Sequence, residues 1–144
     1  MGSVIREMNG VYLGGDFANS TAISAAKLIA GGASGFDVAG ANTKNPLVAV
    51  VGASANAKVP RGTTGSGNEL VPIALGNVIV KADSTLCSGT FASFVGGVTV
   101  KPAASGLYAI ASGSSNAIGT VLINDGTYAY IVVKTGIYNT VTVS

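Results

Sequence analysis

Short apolar runs alternate with glycine-rich turns through the second half of the chain. The runs are "ELVPIAL", "NVIVKA", "GTFASFV", "VTVKPA", "GLYAIA", "AIGTVLI", "TYAYIVVK" and "IYNTVTV". Their length and even spacing are typical of antiparallel strands joined by tight turns. The pattern therefore predicts an all-β fold from Leu70 onward, in the form of a small antiparallel barrel or sandwich.

Three junctions between these runs carry residues that favour tight turns. Gly96-Gly97 separates "GTFASFV" from "VTVKPA", and Asn124-Asp125-Gly126 separates "AIGTVLI" from "TYAYIVVK". Thr135-Gly136 precedes the last run. Glycine and asparagine tolerate the positive φ angles that hairpin turns require. The tail of the chain is accordingly predicted to be a three-stranded antiparallel meander.

The strand predicted from Tyr128 to Lys134 is apolar on both faces. Thr127, Ala129, Ile131 and Val133 alternate with Tyr128, Tyr130 and Val132. One face is expected to pack in the core, and the other to meet a second layer or a partner chain. Tyr128, Tyr130 and Val132 are therefore candidate contact residues. The alternative that both faces are covered within one chain stays open.

The first residues of the chain have a different pattern. Residues 1–17 contain few apolar anchors and several glycines, which predicts an extended N-terminal arm. Such an arm has too few anchors for a core of its own, so we expect it to lie on a neighbouring subunit or another protein. An alternative is that it folds back as an edge strand. The candidate contact residues of the arm are Val4, Ile5, Arg6, Tyr12 and Leu13.

Residues 18–144 are interpreted as a single β-rich domain. At most one short helix is expected, near Ser20 to Ala30, where potential caps precede apolar residues at helical spacing and Gly31 follows. Leu47 to Val51 form an apolar run that predicts a buried strand. The stretch around residues 60–69 concentrates proline, glycine and polar residues, which indicates a mobile loop.

Composition narrows the classes of function. The 144 residues suit one domain, with 48% hydrophobic and only 10% charged residues. No apolar run approaches the roughly 20 residues of a spanning helix, so no membrane partner is expected. The net charge of +2 comes from scattered charges, without the basic patch of a nucleic-acid-binding protein. The N-terminus lacks the apolar core of a secretory signal, so synthesis in a cytoplasm is expected.

The side chains that usually perform catalysis are scarce. The chain has no histidine, which removes the commonest general base and metal ligand. Its six acidic residues are isolated, and its glycine-rich stretches lack the lysine of a phosphate-binding loop. The single cysteine, Cys87, has no basic neighbour and is expected to be a small buried side chain. Asp125 is best explained by its turn. We therefore expect no enzyme activity, no cofactor and no metal site.

The region from Val78 to Tyr138 resembles the head-decoration, or capsid cement, proteins of tailed bacteriophages. The resemblance is carried by the step Ser88-Gly89-Thr90, by "AIGTVL" at residues 117–122, and by Val133, Gly136 and Tyr138. It implies a small non-enzymatic β protein that binds the major capsid protein as a homotrimer. The expected location is the virion, on the outer surface of the head, where the protein would stabilise the shell.

Two other functions remain open at this point. A β-rich surface or fibre adhesin module shares the glycine-rich composition, and it is the main alternative. A small-ligand-binding barrel is less favoured, because the chain has no tryptophan and few polar residues that could converge in a pocket.

Overall fold

The protein is all-β, as the sequence predicts. The computed structural model describes residues 2–8, 12–18, 24–32, 35–49, 68–74, 76–113 and 116–135. These residues form two mainly antiparallel sheets and three short 3₁₀ turns. In this part of the chain, no helix is long and apolar enough to cross a membrane.

Eleven strands account for the described architecture. In chain order they are β1 (Gly2–Met8), β2 (Tyr12–Ala18), β3 (Leu28–Gly32), β4 (Gly35–Val38), β5 (Leu47–Ala49), β6 (Asn68–Ala74), β7 (Gly76–Ala82), β8 (Thr99–Pro102), β9 (Tyr108–Ile110), β10 (Gly119–Asn124) and β11 (Ala129–Thr135). The first sheet has six strands in the order β1-β7-β11-β10-β8-β9.

The second sheet contains β2-β4-β3-β5-β6, and β6 pairs with β2 to close the ring. The contact between β2 and β4 is a single parallel pair, Phe17 with Phe36. The other pairings are antiparallel, and β2 with β6 is the longest of them. Because the closure depends on one residue pair, we describe the fold as a sandwich of two sheets rather than a fully closed barrel.

The core lies between the two sheets. Alternate residues of the central strands β7 and β11 point inward, as period-two patterning requires. The buried cluster draws on both sheets and includes Leu28, Val48, Val78, Val80, Leu86, Phe94, Val100, Tyr108, Val121, Ile131 and Val133. The inward alternation predicted for Ala129, Ile131 and Val133 is therefore confirmed.

The N-terminal arm is placed differently from the main expectation. Gly2–Met8 pairs antiparallel with β7 as the edge strand of the first sheet. Tyr12–Ala18 pairs with β6 in the second sheet. The prediction that residues 1–17 leave the body of the domain is thus wrong, and the alternative of an arm folded back on its own chain describes the structure. Backbone hydrogen bonding explains this outcome, since pairing within the chain satisfies the amides of an otherwise uncovered β7 edge.

The sequence allows at most one short helix near Ser20 to Ala30, and the described part of this segment is instead a turn followed by β3, while residues 19–23 lie outside the described residues. Ala26 has a positive φ of 68° and its amide donates to the Ala49 carbonyl at 2.8 Å, which ties this segment to β5. The run "GTFASFV" contains a 3₁₀ turn at Phe91–Ser93 instead of a strand.

The predicted C-terminal meander is confirmed only in its first hairpin. Strands β10 and β11 pair across the turn at Asn124-Asp125-Gly126. Along Ala129–Val133, however, β11 pairs with β7 on one side and with β10 on the other. Both edges of this part of β11 are occupied, so a third meander strand cannot join it there. Residues 136–144 lie outside the described residues, as do residues 60–67 of the loop predicted around 60–69. Asn68 and Glu69, at the end of that predicted loop, instead begin strand β6 and pair with β2.

Candidate contact surface

The described acidic side chains are engaged by the local backbone. Asp125 Oδ1 accepts hydrogen bonds from the amides of Thr127 at 2.8 Å and Tyr128 at 2.7 Å. These two bonds hold the pKa of Asp125 below its ordinary value. Asp83 caps the 3₁₀ turn that follows it by accepting from the Thr85 amide at 3.0 Å. These carboxylates stabilise turns, and the expectation that Asp125 serves its turn is confirmed.

Cys87 is a buried thiol with 6% of its surface exposed. Burial raises its pKa to about 11, and the nearby carboxylate of Asp83 acts in the same direction. A nucleophilic cysteine requires the opposite shift. The interpretation of Cys87 as a small core residue is therefore confirmed. Among the described residues, no three His, Cys, Asp or Glu side chains are grouped so that they could hold a metal ion.

The outward face of β7 and β11 is a mixed apolar and aromatic surface. Tyr130 pairs with Lys81, and Val132 pairs with Ile79, so these four side chains share one face. All four are half-buried, and none belongs to the core cluster. We call Ile79, Lys81, Tyr128, Tyr130 and Val132 the outward face. The Lys81 Nζ atom lies 4.0 Å from the centroid of the Tyr128 ring, which places an ammonium group over an aromatic side chain.

A β-bulge extends this face onto β10. The pairing register shifts between Val121 and Ile123, so that Leu122 is an additional residue opposite β11. Ile123 pairs with Tyr130 and therefore lies on the outward side. Leu122 is 52% exposed and Ile123 is 57% exposed. A regular strand would have turned one of two consecutive residues inward, whereas a bulge lets both face solvent.

A shallow hollow lies next to the bulge. Its volume is about 260 Å³, and it is lined by Phe91, Ala92, Val95, Asn124 and Gly126. The Asn124 side chain donates to the Phe91 carbonyl at 3.1 Å, which fixes the 3₁₀ turn against the end of β10. Val95 is 50% exposed. With Leu122 and Ile123, it completes the set of large apolar side chains that are exposed among the described residues.

The structure separates the contact residues predicted from the sequence. Val4, Ile5 and Arg6 lie on β1, and Tyr128, Tyr130 and Val132 lie on or beside β11 of the same sheet, with β7 between them. Tyr12 and Leu13 lie on β2 of the other sheet. The side chains of the five arm residues are outside the described part of the structure. Their role in contacts stays a prediction.

Sequence reasoning missed Val95, Leu122 and Ile123 as exposed contact candidates. One signal for the last two was present. Strict alternation through "AIGTVLIND" would place Leu122 and Ile123 on opposite faces, yet both are large and apolar just before a turn. One of the two would then be exposed in a regular strand, and a bulge is the irregularity that exposes both.

The sequence matches no known protein-family model and no curated protein. The resemblance over Val78 to Tyr138 is therefore a hypothesis that rests on its motif residues. Two of these have a structural reason in this fold. A Cβ at Gly119 would overlap the carbonyl of Val132, and Gly89 has a φ of 95°. Gly119 is thus explained by close strand approach and Gly89 by a turn, independently of any function.

Proposed function

We propose that this protein is a capsid cement protein, which binds the outside of an icosahedral phage head and stabilises the shell. The observation that carries the proposal is the outward face together with the exposed bulge. A protein that works by contact requires an apolar surface of this kind on a rigid support. The resemblance over Val78 to Tyr138 supplies the identity of the partner, the major capsid protein.

The support beneath the outward face is rigid. Strand β11 is paired along its length with β7 and along most of its length with β10, and its inward side chains are fully buried. Interface hot spots are commonly aromatic residues in well-packed surroundings. Tyr128 and Tyr130 meet that description, since each is half-buried on a strand or turn whose backbone is fixed.

The low density of charge on the chain favours the same role. Only 10% of residues are charged, with a net charge of +2, so little repulsion opposes the close approach of another protein or another copy. The proposal includes self-association as a homotrimer on the shell. In a cyclic trimer each copy contacts its two neighbours through two different surface patches, so all three contacts are identical.

Co-sedimentation with shells tests the proposal. The shells are assembled from the major capsid protein that the proposal expects to be encoded beside this chain. The variant Tyr130→Thr removes an aromatic side chain while keeping strand propensity. Ala104→Thr, at an exposed 3₁₀ position outside the outward face, is the matched control. We expect saturable binding by the natural chain and the control, and at least about tenfold weaker binding by Tyr130→Thr.

Absence of binding by the natural chain would refute the proposal. Binding to carbohydrate instead of shells would favour the adhesin alternative. Equal binding of Tyr130→Thr and Ala104→Thr would show that the outward face is not the site of contact.

A further inference from the structure

Three lysines that are far apart in the sequence lie on the outward side of the six-stranded sheet. They are Lys81 on β7, Lys101 on β8 and Lys134 on β11. Each of them directly follows a fully buried valine along its strand, so the alternation of side chains places it on the side away from the core. Strands β7 to β11 contain no aspartate or glutamate. The fold therefore gathers charges that are scattered in the sequence onto one surface of a single sign.

Lys101 and Lys134 lie close together at one end of this surface. A row of paired residues fixes their positions, because Thr120 of β10 pairs with Thr99 of β8 and with Val132 of β11. Both β8 and β11 are antiparallel to β10 and so run in the same direction, and each lysine lies two residues beyond its member of the row. Only β10 separates the two strands, so the Cα atoms of the lysines are about 10 Å apart.

The two ends of the surface differ in how their charges are engaged. In the part of the chain that the structure describes, the ammonium groups of Lys101 and Lys134 have no ion pair, hydrogen bond or ring contact. Lys81 lies at the other end, where its Nζ atom is 4.0 Å from the centroid of the Tyr128 ring. The carboxylate of Asp125 belongs to the turn just before that ring. One end thus holds two uncompensated positive charges, while the other end holds a lysine with an aromatic contact and a nearby carboxylate.

This arrangement of apolar and charged groups fits an acidic protein surface. Ile79 and Val132 lie between the two ends, so an occupant must bring apolar groups to the middle and negative charge to the lysines. Nucleic acids need several phosphate contacts and aromatic side chains among the cations. Two free lysines supply too few contacts of that kind, and Tyr130 lies about 13 Å from Lys134 along β11. A protein that carries carboxylates beside apolar side chains meets both requirements.

We propose that the surface covering the outward face is an acidic protein surface whose carboxylates lie opposite Lys101 and Lys134. This inference rests on the proposed function and specifies the chemistry of the shell surface that the chain binds. Complementary charge at an interface accelerates association and excludes wrong orientations of the partner. Because only one end of the face has uncompensated charge, the carboxylates select one orientation of the chain on the shell.

The test compares variants that lose the same charge at different places. Lys101→Gln combined with Lys134→Gln removes the positive end of the face. Lys27→Gln combined with Lys44→Gln is the control, since it also replaces one half-buried and one exposed lysine but does so beside strands of the other sheet. Lys101→Arg combined with Lys134→Arg keeps the charge. Binding to immobilised poly-L-glutamate is measured from about 0.05 M to about 0.5 M NaCl, with circular dichroism to verify that each variant is folded.

We expect the natural chain, the arginine variant and the Lys27 and Lys44 control to bind poly-L-glutamate with similar affinity at low salt. The glutamine variant of the face should bind at least about fivefold more weakly, and high salt should remove the difference. Equal affinities of the two glutamine variants at low salt would overturn the inference. Tighter binding of the natural chain to a DNA duplex, with the same dependence on Lys101 and Lys134, would also overturn it in favour of a nucleic acid.

The same proteins are then compared on shells, which separates this inference from the proposed function. Shell binding that weakens with salt and with loss of Lys101 and Lys134 supports both. Shell binding that is equal for the two glutamine variants overturns the inference and leaves the cement function in place. A natural chain that binds poly-L-glutamate through these lysines but does not bind shells refutes the cement function and supports an acidic partner of another kind.

Discussion

The hydroxyl of Tyr108 donates a 2.7 Å hydrogen bond to the carbonyl oxygen of Ala26 and so connects the two sheets across the core. Tyr108 belongs to β9, and Ala26 precedes β3. Both residues are completely buried. The bond orients a segment with an unusual backbone, since Ala26 has a φ of 68°. A polar contact thus fixes how the sheets meet inside an apolar core.

Replacing Tyr108 with phenylalanine should destabilise the protein. The change keeps the ring and removes the donor to a buried carbonyl, which costs about 1–3 kcal/mol of unfolding free energy. Urea denaturation measures the loss. The matched control Tyr130→Phe, on the outward face, should change the unfolding free energy by less than about 0.5 kcal/mol. Equal effects at the two positions would contradict the role given to the Tyr108 bond.

Gly119→Ala should be among the most damaging small substitutions. A Cβ at this position overlaps the carbonyl of Val132 on the paired strand, so β10 and β11 must separate locally. We expect a loss of about 3 kcal/mol. Gly40→Ala is the control, because its Cβ would meet only the Thr43 hydroxyl at 4.0 Å. Thermal melts of the two variants that coincide would refute the close approach at Gly119.

The stability of the protein should fall at alkaline pH. Burial raises the pKa of the Cys87 thiol from 9.0 to about 11, so the folded chain holds a proton that the unfolded chain has already lost. The stabilisation is complete below pH 9 and disappears as the pH rises through 11. Burial also raises the pKa of Tyr108, which acts in the same direction. Cys87→Ala should therefore show a smaller alkaline decline in denaturation midpoint, and an identical decline would contradict this assignment.

Deleting residues 2–8 should lower the melting temperature of the free protein. The deletion removes β1 and leaves the edge of β7 without its partner, so aggregation should also increase. Circular dichroism and light scattering during heating measure both effects. If the truncated chain melts like the full chain, the pairing of β1 with β7 does not support the fold, and an arm that binds a neighbour becomes the better description.

The sequence predicted the strands that have local signals. Alternation and turn residues placed β7, β8, β9, β10 and β11 correctly, and Leu47–Ala49 was recognised as a buried strand. Strands β3 and β4 were missed because their identity is set by distant partners. Leu28–Gly32 has helix-compatible residues but pairs with β4 and β5, and Gly35–Val38 lies in a glycine-rich stretch. Tertiary pairing overrides local propensity at such positions.

The candidate surface was predictable only in part. Two-sided apolarity in the sequence identified Tyr130 and Val132, because a period-two pattern can be read without a structure. The bulge at Leu122 and the hollow beside Phe91 could not be inferred, since both depend on the register of β10 against β11 and on a 3₁₀ turn. The position of the arm could not be inferred either, because it depends on the pairing of β1 with β7, and these two strands lie far apart in the chain.

The thermal stability of the shell is the decisive measurement for a cement protein. Calorimetry compares shells of the major capsid protein alone with shells saturated by the natural chain and with shells incubated with Tyr130→Thr. We predict a higher shell melting temperature with the natural chain, because a ligand that binds only the assembled state stabilises it. Tyr130→Thr should give a smaller increase at the same concentration. A shell that carries the bound protein and melts at the same temperature as the bare shell would contradict the proposal that this chain is a cement protein.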